Sequence, residues 1–84
     1  MFYVYVLVSQ ANSRLYVGRT SDLRTRLREH LKGKTWTTAR MTDLTLVFYE
    51  AFLSKSDSIR REWYLKTSKG KSSLRQVIRD SLVA

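Results

Sequence analysis

The sequence predicts an α+β domain, in which a small three-stranded antiparallel sheet is flanked by helices in the order β-β-α-β-α-α. Three observations lead there. Three runs rich in β-branched and aromatic residues read as strands. Three further segments carry helix-capping residues at their starts and apolar residues at helical spacing. The 84 residues include no proline, no repeat and no linker-like stretch, so residues 1–84 read as a single domain.

Phe2–Ser9, "FYVYVLVS", is almost continuously apolar, the pattern of a strand buried on both faces. "QANSR" supplies turn residues, and Leu15–Gly18 resumes strand character, so the two pair as a hairpin. Asp22–Lys32 is a helix, capped by Thr20 or Ser21, with Asp22 at the positive end of its dipole and Gly33 as a stop. Lys34–Asp43 has no period and is read as loop. Leu44–Phe52 is the third strand. A second helix is expected from Ser56 to Ser68, with Ser54 and Asp57 as a capping box and Gly70 ending it. The last helix starts near Ser73, spaced from Gln76 as a second capping box, with Leu74, Val77, Ile78 and Leu82 as its apolar stripe.

Composition narrows the function classes. The absence of cysteine excludes disulfides and thiolate metal sites. The longest apolar runs are strand-sized, far below the ~20 residues of a membrane-spanning helix. The start on an apparent core strand lacks the pattern of a secretion signal, so a cytoplasmic protein with no membrane partner is expected. Sixteen Lys and Arg against seven Asp and Glu give a net charge of +9. That excess is spread along the chain, which points to a folded basic surface and a nucleic-acid partner.

Helix geometry sorts the charges. Leu23, Leu27 and Leu31 form an apolar stripe; Arg26 and His30, four apart, share a face beside it, while Arg24 and Arg28 flank the other side or face water. Arg26 and His30 therefore fall at the seam between helix and sheet. A partly desolvated arginine calls for an anion, either a protein carboxylate or a bound phosphate. On the second helix, Ile59 and Trp63 are expected to point into the core, with Arg60 and Arg61 leaning away. Glu62 lies on the flank, as a salt-bridge partner for Arg26 or as the carboxylate of a sparse divalent-cation site. Tyr3 and Tyr5 share one face of the first strand. Tyr5, Tyr16, Arg26, His30 and Glu62 come from four elements that can meet at one sheet edge.

These residues carry a resemblance. Tyr3-Val4-Tyr5 and Tyr16-Val17-Gly18, with the spacing between Tyr5 and Tyr16, resemble the two signature triplets of the GIY-YIG nuclease superfamily, in its short standalone branch. "DLRTRLREH" follows as in that family, and "SIRREWYLK" resembles its third motif; the similarity runs from Phe2 to about Lys69. Tyr3 stands where the first triplet has glycine. The downstream asparagine of many such nucleases has no counterpart, since Asn12 is the one asparagine in the chain.

The resemblance implies a metal-dependent endonuclease that hydrolyses nucleic-acid phosphodiester bonds, DNA before RNA, in repair, recombination or processing. It implies Arg26 and His30 as catalytic residues beside Tyr5 and Tyr16, and Glu62 as ligand of one Mg²⁺ or Mn²⁺. Arg26 would clamp a phosphate oxygen, and Tyr5 would activate water, with Tyr16 orienting it or sharing the role. His30 would hydrogen-bond a tyrosine or phosphate. Positive charge nearby would have to lower the tyrosine's pKa. Arg19, Arg24, Arg28, Thr38, Arg40, Arg61 and Lys66 are candidate nucleic-acid contacts. Trp36 either stacks on a base or folds back onto the sheet. Two other readings compete: a non-catalytic basic DNA- or RNA-binding module on the same scaffold, and an interaction domain whose charge serves solvation alone. No protein partner is identified.

Overall fold

A computed structural model describes residues 1–32 and 44–83. Three strands, β1 (Phe2–Ser9), β2 (Leu15–Thr20) and β3 (Leu44–Phe52), and three helices, α1 (Leu23–Leu31), α2 (Lys55–Leu65) and α3 (Ser68–Val77), follow in the expected β-β-α-β-α-α order. A 3₁₀ turn spans Ser81–Val83. The sheet order is β2-β1-β3, and both pairings are antiparallel. β1 is thus the central strand, which is why its apolar run is continuous: Val4 to Ser9 are all buried. Among the described residues no helix is long and apolar enough to cross a membrane.

Alternation along β1 gives the sheet two dissimilar faces. Val4 and Val6, with Val17 of β2, pack against Leu65 of α2 and Leu74 and Ile78 at α3, forming the hydrophobic core. Tyr3 and Tyr5 point to the opposite face, over which α1 lies. A register shift between Val6 and Leu7 lets Val47 join the core from β3. The hairpin is closed by hydrogen bonds between Ser9 and residues 13 and 14, and Asn12 accepts from the Arg14 amide at 3.0 Å.

Several helix boundaries differ from expectation, each for a local reason. Asp22 is the N-cap of α1, accepting from the Thr25 amide, while Thr20 caps nothing and instead bonds Asp22. Ser54 caps α2 as expected. α2 stops at Leu65, before Ser68, because Thr67 takes over as N-cap of α3, receiving the Gly70 amide at 3.0 Å. The Ser73–Gln76 pair therefore lies inside α3 rather than at its start. Gly70, expected as a terminator, is buried in the first turn of α3 against the end of α2. A Cβ there would overlap the Tyr64 carbonyl oxygen. Val77 is exposed, so the stripe of α3 runs through Leu74 and Ile78, with Leu82 partly buried beyond. Trp63, expected in the core, is 66% exposed, because Ser58 and Leu65 form the buried side of α2. Gly33, Trp36, Thr38 and Arg40 lie outside the described residues.

The close approach at Gly70 makes a stability prediction. Gly70→Ala is expected to cost about 1–3 kcal/mol as overpacking, which for a domain of this size lowers Tm by roughly 5–20 °C. A thermal melt followed by circular dichroism checks it; an unchanged Tm would refute the tight α2–α3 junction.

Candidate active site

The site is built around a tyrosine that crosses its neighbouring strand. Tyr5 stands opposite Gly18 in the β1–β2 ladder. A Cβ at position 18 would overlap the Tyr5 hydroxyl and come within 3.0 Å of Cε1. The missing side chain is what lets the Tyr5 ring lie over β2, an edge strand. Fully buried there, its hydroxyl sits 2.6 Å from Nε2 of His30, itself buried on α1. Tyr16 completes the cluster: its ring meets His30 edge-on at 5.1 Å and Tyr5 at 6.3 Å. Arg26, one turn before His30, lies beside the Tyr5 hydroxyl and pairs with Glu29 at 3.2 Å.

Burial dominates the electrostatics of this cluster. It pushes the Tyr5 phenol up to about 12, although the Arg26 hydrogen bond and charge pull the other way. Burial also holds His30 below the ordinary imidazole value, and the Arg26 charge acts in the same direction. The Arg26 guanidinium is stabilised in return, chiefly by its hydrogen bond to Tyr5. The Arg26 charge thus acts on Tyr5 in the direction the resemblance requires, but burial outweighs it. At neutral pH Tyr5 is a phenol beside an uncharged imidazole.

Glu62 approaches from the other side of β2. Its carboxylate lies 3.1 Å from Nζ of Lys66, one turn along α2, and 3.7 Å from Nε of Arg19 on β2. Neither partner is Arg26. The Arg19 Nε is buried and makes no hydrogen bond among the described residues. A cleft of about 400 Å³ lies at the β2 edge, lined by Leu15, Tyr16, Val17, Lys66 and Lys71. Lys71 was not anticipated, because its approach to β2 depends on how α3 turns at Gly70. Arg61, expected to lean away, instead grips Glu50 of β3 through two hydrogen bonds of 2.7 and 3.3 Å. Arg24 and Arg28 are exposed on α1.

Among the described residues no group of three or more His, Cys, Asp or Glu could cage a metal ion. The donor set fits a hard divalent cation in sparse form only. Glu62 would supply one carboxylate, with phosphate and water oxygens completing the shell, as Mg²⁺ accepts. Lys66 and Arg19 would have to yield their contacts with Glu62.

The buried pair makes stability pH-dependent at both ends. His30 titrates lower when folded than unfolded, so the unfolded chain takes the proton first; stability is full above pH ~6.5 and falls as pH drops below it. Tyr5 titrates at about 12 when folded against 10 in the open chain, so stability falls again as pH rises past 10. Urea titrations across pH should show both limbs. His30→Gln is expected to flatten the acid limb and Tyr5→Phe the alkaline one; limbs that survive these changes would contradict the pair.

Comparison with known proteins identifies the family. Residues 1–75 match the GIY-YIG catalytic domain family. A UPF0213 protein of Staphylococcus haemolyticus is 36% identical over 77 residues, covering 89% of this chain and 92% of that one. A UPF0213 protein of Halobacterium salinarum is 38% identical over 68 residues, covering 79% and 86%. The solution NMR structure of a UPF0213 protein from Bacillus halodurans superposes with a TM-score of 0.58 at 31% identity, covering 92% of this chain and 85% of that one. The chain belongs to the GIY-YIG catalytic domain family, among its UPF0213 relatives.

Proposed function

We propose that this protein is a metal-dependent endonuclease acting on nucleic-acid phosphodiester bonds, DNA in preference to RNA, in a cytoplasmic repair, recombination or processing role. The observation that carries this reading is the convergence of Tyr5, Tyr16, Arg26 and His30 around one edge strand, in a chain of the GIY-YIG family. Such nucleases are generally divalent-metal dependent, and Mg²⁺ or Mn²⁺ at Glu62 would supply positive charge to the scissile phosphate and the departing 3′ oxygen.

The protein's own groups divide the remaining work. Arg26, already ordered against Tyr5, presents a planar fork to a phosphate oxygen. Tyr16 is only partly buried and lines the cleft, so it is the tyrosine that an attacking water can meet. Tyr5 keeps its proton, and its hydroxyl shares a hydrogen bond of 2.6 Å with Nε2 of His30. This buried pair holds Tyr16 and Arg26 in register. Lys66 and Lys71 draw the polyanion to the β2 edge.

One observation favours the non-catalytic binding module: Glu62 is paired with two cations. Cleavage of branched, single-stranded and duplex substrates with Mg²⁺ or Mn²⁺ separates the readings. For an endonuclease, Glu62→Ala and Arg26→Ala should each lower the cleavage rate at least ~100-fold without loss of fold. Tyr16→Phe should do the same, and Tyr5→Phe less. Salt-sensitive binding without cleavage by the wild type would establish the binding module instead.

A further inference from the structure

A groove larger than the β2-edge cleft lies elsewhere on the sheet. It lies on the α1 side of the sheet, toward the opposite edge, and encloses about 650 Å³. Its walls are Tyr3 and Tyr49 from the sheet and Leu23, Arg24, Leu27 and Arg28 from α1. None of these residues lines the cleft beside Tyr16.

Three features distinguish this groove from ordinary surface. Tyr49 stands directly opposite the fully buried Tyr5, yet is 54% exposed. Its ring meets Tyr3 edge-on, with centroids 6.2 Å apart, so the two form a fixed aromatic corner. Arg24 and Arg28, four apart on one helix face, look into the same space. Among the described residues neither makes an ion pair, whereas Arg19, Arg26, Arg60, Arg61 and Lys66 all do. The acidic residue at the rim, Asp22, is committed to the Thr25 amide and hydroxyl as the cap of α1. The groove thus combines a vacant aromatic face, an apolar wall from Leu23 and Leu27, and two uncommitted guanidinium groups.

We propose that this groove binds unpaired nucleotides, a base stacking against Tyr49 and Tyr3 while Arg24 and Arg28 hold the flanking phosphates. The proposal rests on the nucleic-acid reading above and adds to it a substrate class, single-stranded or flapped nucleic acid. A duplex keeps its base faces stacked on one another and offers this corner nothing but phosphate; an unpaired base offers a face that any aromatic ring accepts. The volume falls within the ~300–1,000 Å³ of small-ligand sites, the scale of a single nucleotide.

The test compares binding of a labelled oligothymidylate and a labelled duplex by fluorescence anisotropy. Tyr49→Ser should weaken single-strand binding about tenfold and leave duplex binding unchanged, while Tyr49→Phe keeps wild-type affinity. Arg24→Gln should weaken both and lower the salt slope by about one. Oligonucleotides carrying 5-iodouracil should crosslink the unmodified protein at Tyr49 or Tyr3, a readout that does not depend on a variant's fold. Equal single-strand affinity of wild type and Tyr49→Ser, or crosslinks elsewhere only, overturns the groove while leaving the nuclease reading intact. A wild-type protein that binds neither substrate overturns both.

Discussion

A tyrosine ring passing over a residue without a side chain fixes the geometry of this domain's polar face. Tyr5 belongs to the central strand, but its hydroxyl is delivered to the edge strand because Gly18 leaves the path open. Burying a phenol needs a partner, and His30 provides one at 2.6 Å. That single hydrogen bond ties α1 to the sheet through its last turn and sets where Arg26, one turn earlier, must lie. Tyr16 then packs edge-on against the same imidazole. The polar face is consequently a rigid arrangement, held by buried groups that all depend on one another.

Charge on this protein is not uniform in meaning. A net charge of +9 suggests a basic coat, yet most of the cations near the sheet are committed. Arg61 is locked to Glu50, Arg26 to Glu29, and Lys66 with Arg19 flanks Glu62. These pairs are partly buried rather than free in solvent, and their effect here is positional. They hold Glu62 and Arg26 in place, while Arg24 and Arg28, on the far wall of α1, make no ion pair among the described residues. The two sides of α1 thus carry different chemistry, an ordered arginine beside buried aromatics and a pair of uncommitted ones beside an exposed ring.

The strands were legible because burial on a central strand and turn residues leave plain marks: β1 and β3 begin and end where composition predicts. The i, i+4 relation of Arg26 and His30 likewise put both at the helix–sheet seam. Helix ends were harder to read. Thr67 reads as part of the second helix and Gly70 as its stop, yet they form the cap and tight first turn of α3, because the end of α2 crosses there with no room for a side chain. Trp63 has the spacing of a core residue beside Ile59, but the sheet is met by Ser58 and Leu65, which turns the indole outward. Spacing along one helix cannot say which of two apolar directions its neighbours occupy.

By itself, the sequence determined the fold class, the family and the set of residues that gather at the β2 edge, since these follow from periodicity, turn chemistry and ordered motifs along the chain. Tertiary structure alone decided who pairs with whom. Glu62 faces Arg19 and Lys66 rather than Arg26, burial outweighs the Arg26 charge at the Tyr5 phenol, and Tyr3 and Tyr49 make an open corner beside α1. The reason is common to all three. Ion pairing, desolvation and exposure are set by distances between elements far apart in the chain, and those distances exist only once the helices have been laid against the sheet.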